Sequence, residues 1–77
     1  MDRLWAFERK QDGKRVEFFS EVRAGRLTYI IRELSESQDS VTTDRDAVEF
    51  FRNELIQGGY RPVSFYREGP AGGDQAS

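Results

Sequence analysis

The chain contains neither cysteine nor histidine. Without cysteine there is no disulfide framework and no thiolate chemistry. Without histidine the commonest general base is missing, and the two absences together remove nearly every zinc, copper or haem site. A metal would have to be a hard ion held by carboxylates, and no Asp-rich loop of calcium-binding spacing is present. No metal and no cofactor are expected. Catalysis needs a nucleophile with its base, or paired carboxylates in a sheltered cleft. A chain of 77 residues has little room for such a cleft, so a non-enzymatic role is expected. Long apolar runs are missing too. The opening stretch MDRLWAFERK mixes Asp, Glu, Arg and Lys and resembles neither a signal peptide nor a membrane span. The expectation is a soluble, cytoplasmic protein with no membrane partner.

Aromatic residues, by contrast, are plentiful: six Phe, three Tyr and one Trp. Each removes a large area from water, which makes a single thin core feasible in so short a chain. Dimerisation is a natural supplement at this size. The net charge of −2 is unevenly spread. Residues 1–34 hold eight Lys/Arg against six Asp/Glu, whereas residues 35–57 hold two against six. A mildly basic half therefore precedes an acidic one.

Alternation organises the basic half. RLWAFERK at 3–10 puts Trp5, Phe7 and Arg9 on one side of a strand and Leu4, Ala6 and Glu8 on the other. Asp12-Gly13 then reads as a two-residue type I′ turn. In RVEFFSEVR at 15–23, Val16, Phe18, Ser20 and Val22 share one face, and Phe19 lies opposite among Arg15, Glu17, Glu21 and Arg23. Ala24-Gly25 makes a second corner, and RLTYIIREL at 26–34 returns as a third strand with apolar residues on both faces. SVTT at 40–43 reads either as a very short fourth strand or as the lead into a helix.

The helix signal is the clearest. Thr43 and Asp46 have capping-box spacing, and acidic residues suit the positive end of the helix dipole. Ala47, Val48, Phe51 and Leu55 form an apolar stripe widened by Phe50. Gly58-Gly59-Tyr60 suits a left-handed stop, after which Pro62 bars continuation. VSFYR at 63–67 reads as a short edge strand, and EGPAGGDQAS at 68–77 as a tail without packing capacity. The expected architecture is α+β. A three- to four-stranded antiparallel meander is followed by one helix on one face, all within a single domain over residues 1–67.

Two families share parts of this pattern. EVRAG at 21–25 and the helix ending in Gly59 and Tyr60 resemble the WGR domain through Arg23 and Gly25, although Glu21 and Val22 stand where its Trp and first Gly belong. SEVRAGRLTY at 20–29 is similar to the first hairpin of bacterial Pur-alpha-like repeats, with residues 35–43 too short for that family's two full strands. Both resemblances imply nucleic-acid binding.

A matching chemical reading uses a sheet face left open by the helix. Aromatic rings stack on bases while arginines meet phosphates, an arrangement suited to single strands. The candidate residues are Arg15, Phe19, Arg23 and Arg26, with Trp5, Phe7 and Arg9 behind them. Trp5 and Phe7 have a second placement, in the helix-facing core. Glu17 and Glu21 among the arginines suit cross-strand pairing as well as ligand contact. The alternative is an adaptor that binds a protein partner, or a second copy of itself, through the same face or an edge strand.

Overall fold

The computed structural model describes residues 1–65. The boundary expected at residue 67 and the tail expected at 68–77 lie outside the described residues. The chain forms β1 (Asp2–Arg9), β2 (Lys14–Arg23), β3 (Arg26–Glu33), β4 (Ser40–Thr42), α1 (Arg45–Gln57) and β5 (Arg61–Val63). The strands make one antiparallel sheet in the order β4-β3-β2-β1-β5, with the helix packed on one face. This is the expected α+β meander, with both short strands realised as its edges. No helix among the described residues is long and apolar enough to cross a membrane.

The two hairpin turns differ from the expectation. Asp12-Gly13 does not form a two-residue turn. Arg9 pairs with Lys14, leaving a four-residue loop in which only Gly13 has positive φ. The Asp12 carboxylate draws the loop together by accepting from the Lys14 N–H at 3.2 Å and from the Arg9 guanidinium at 2.7 and 3.1 Å. The type I′ geometry belongs instead to Ala24 (φ 50°) and Gly25 (φ 75°), between the paired residues Arg23 and Arg26. Alanine is costly in this left-handed region and Asn-Gly is the preferred pair. Ala24→Asn should therefore raise stability by about 0.5–1 kcal/mol, read as a higher urea midpoint at unchanged slope.

The helix starts one residue later than the capping-box reading implies. Asp44 is the N-cap, and its carboxylate accepts from the Asp46 N–H at 2.9 Å. Thr42 Oγ1 accepts from the Asp44 N–H at 3.0 Å and turns the chain off β4. Aspartate at this position both satisfies an amide and meets the positive end of the dipole. At the other end Gly59 takes φ 95°, its N–H donates to the Ile56 carbonyl at 3.2 Å, and the Tyr60 N–H donates to that of Leu55 at 3.0 Å. This Schellman closure folds Tyr60 back into the core. β5 then begins at Arg61 rather than at residue 63, with Pro62 tolerated on an edge strand.

The core lies between the helix and Phe7, Val16, Phe18, Tyr29 and Ile31, with Val48 and Tyr60 closing it. A bulge in β1 decides which rings take part. Arg3 pairs with Phe19 but Trp5 pairs with Phe18, so Leu4 is the extra residue. The shift places Trp5 with Phe18 on the helix side and Arg3 with Phe19 on the far side.

Candidate functional site

The far face of the sheet carries Arg15, Glu17 and Phe19 on β2 and Thr28, Ile30 and Arg32 on β3. It is not the open surface expected. Phe19 is 8% exposed and Arg15 5% exposed. The Phe65 ring lies 5.6 Å from that of Phe19, and the Arg32 guanidinium sits 5.0 Å over the Phe19 ring. Arg15 donates to Glu17 Oε2 at 3.0 Å, to Glu8 Oε2 at 3.1 Å and to the Ser64 carbonyl at 2.7 Å. Arg32 makes two bonds of 3.1 Å to Asp39, which hold that carboxyl below the usual carboxylate range. Arg3 lies 5.3 Å over Phe65. The basic and aromatic groups of this face are engaged with one another and with carboxylates, as the alternating charges on β2 suggest.

The remaining candidates lie elsewhere. Phe7 is 1% exposed within the core, and Trp5 packs edge-on against Phe18. Both therefore take the core placement and do not join Phe19. Arg9 is also on the helix side, where it closes the carboxyl end of α1. It donates to the Gly58 carbonyl at 3.2 Å and lies 4.7 Å over the Tyr60 ring. The last turn of the helix contains no basic residue, so β1 supplies the cation that end favours. Its hydrogen bonds, above all, hold the Asp12 carboxyl down to about 2, so the pair stays ionised in neutral solution. Arg23 and Arg26 stand together at the tip of the β2–β3 hairpin, with Arg23 bonded to Glu21. The seven expected residues thus fall into three separate places.

A different surface emerges at that tip. Val22 and Leu27 are direct cross-strand partners on the helix side, yet they are 70% and 50% exposed. The helix covers Val16 and Phe18 as expected but stops short of Val22. Between the tip and the first helical turn lies a crevice of about 140 Å³. Leu4, Trp5, Leu27 and Tyr29 form its walls, and Arg45 and Glu49, bonded to each other at 3.2 Å, stand at its rim. The signal was available in the sequence. On β2 the helix-facing positions stay apolar as far as Val22, next to last in the strand, with only Ser20 between.

Comparison with protein families, curated proteins and solved structures finds no match for this chain.

Proposed function

We propose that this domain is a non-enzymatic protein-interaction module that holds its partner through the helix-side surface of the β2–β3 hairpin tip. One observation carries the reading: Val22 and Leu27 form an apolar pair that the fold leaves uncovered beside a crevice. Apolar anchors next to a pocket, framed by charged residues, are what protein interfaces use. The engagement of Arg15, Arg23 and Arg32 by carboxylates supports the same choice, because phosphates would have to displace those partners. Lacking cysteine, the module draws no stability from an oxidising compartment, which supports a cytoplasmic setting.

Nucleic-acid binding is the second reading. It is favoured by the two arginines, Arg23 and Arg26, that flank an exposed turn. A photo-crosslinking residue placed at position 22, with the exposed helix position 53 as control, separates the two when combined with oligonucleotide titration. The module reading expects discrete protein adducts from position 22, none from position 53, and no oligonucleotide binding at low salt. Silence at position 22, or oligonucleotide affinity that falls steeply as salt rises, would overturn it.

A further inference from the structure

We infer that the occupant of this surface is a second copy of the chain, related by a two-fold axis so that each hairpin tip lies over the other's crevice. The inference rests on the protein-interaction reading and supplies its partner. The apolar strip is self-complementary in outline. It begins at Val22, continues through Leu27, which also walls the crevice, and ends at the helix start. A protruding end and a hollow end on one face are what an isologous pair exchanges.

Charge fixes the direction of the pairing. The tip carries Arg23 and Arg26 against the single carboxylate of Glu21, an excess of positive charge. The helix start carries Asp44, Asp46 and Glu49 against the single guanidinium of Arg45, an excess of negative charge. Two copies laid antiparallel across the axis bring the basic end of each against the acidic end of the other, twice over. Tip-to-tip pairing would set four arginines against two glutamates and is disfavoured by repulsion. The exposed Ile56 and Leu34 also line hollows, but neither is set against an exposed apolar cross-strand partner as Leu27 is against Val22. Phe50 is exposed on the helix and has no strand partner. A domain this small also gains more than a large one from added burial.

Sedimentation equilibrium of the full chain over a wide concentration range, at low and moderate salt, tests the inference. The expected result is a concentration-dependent mass approaching twice 8.9 kDa, with weaker association at higher salt. Val22→Glu should give a monomer with an unchanged circular dichroism spectrum, since the side chain is mostly in solvent. Arg26→Glu and Glu49→Arg should each weaken the dimer by about tenfold or more, and the double exchange should restore much of the loss. A dimer indifferent to Val22→Glu would overturn the assignment of the surface. A wild-type monomer at every concentration would overturn the second-copy partner. Protein adducts from position 22 would then leave the interaction reading standing, whereas their absence would remove both.

Discussion

Phe18→Ala should remove a large part of the domain's stability and lower its urea midpoint sharply. Phe18 is 1% exposed and stands at the meeting point of three rings, with centroids 5.5 Å to Trp5, 5.7 Å to Phe7 and 6.0 Å to Phe51. All three contacts are edge-to-face, the arrangement favoured by the ring quadrupoles. Truncating a buried phenylalanine costs about 3–5 kcal/mol through lost transfer energy and a residual cavity. At about 0.05–0.15 kcal/mol per residue, a chain of 77 residues holds about 4–12 kcal/mol in total, so the loss takes a large share of it. The three neighbours cannot collapse into the gap together, because they come from two strand positions and the helix. Urea denaturation followed by Trp5 emission measures the effect. Phe18→Leu should keep the fold at a cost of about 1–2 kcal/mol, and Phe50→Ala, at a side chain 67% exposed, should change stability by less than about 0.5 kcal/mol. A Phe18→Ala chain with a midpoint near that of the wild type would mean that the core is organised around another residue.

The same ring shows how far the sequence could be read. Alternation in β2 correctly set Phe18 against Phe19 on opposite faces, and the 3.6-residue spacing of Val48, Phe51 and Leu55 correctly chose the helix stripe. Those patterns are visible because period and burial coincide. Trp5, Phe7 and Arg9 share one face of β1 as expected, but the bulge at Leu4 changes phase near the start of the strand and leaves no compositional mark. Local turn chemistry misled once. Asp12-Gly13 has the composition of a type I′ turn, but the Asp12 side chain bonds to Arg9 and Lys14 and closes a four-residue loop instead. The less suitable Ala24-Gly25 takes that geometry because the Arg23–Arg26 register demands it. The far face was misjudged for a non-local reason. Its cover comes partly from Ser64 and Phe65, which lie far along the chain from β2, and no spacing rule links them to Arg15 and Phe19. The candidate site consequently narrowed from an expected face to the end of the hairpin, where Arg23 and Arg26 were expected but the apolar pair Val22 and Leu27 was not.

Arg15→Met should cost about 3–5 kcal/mol, although it replaces a charged side chain by an apolar one of similar length. The Arg15 side chain is 4% exposed and Glu17 12% exposed, so removing the guanidinium strands a carboxylate in a nearly dry position. Glu8, with 37% of its side chain exposed, can turn to water and contributes less. The Ser64 carbonyl also loses its donor, which loosens the segment that brings Phe65 over Phe19. Arg15→Lys should recover little, because one ammonium cannot reach the three acceptors that the planar fork meets at once. The decisive comparison is a double-mutant cycle with Glu17→Leu. Arg15→Met with Glu17→Leu should be far less destabilised than Arg15→Met alone, since no charge is left unpaired. Such coupling would mark Arg15 as a residue of the fold. Full stability of the single Arg15→Met variant would instead mean that the guanidinium is not held by its carboxylates, and would return Arg15 to the residues able to meet a phosphate.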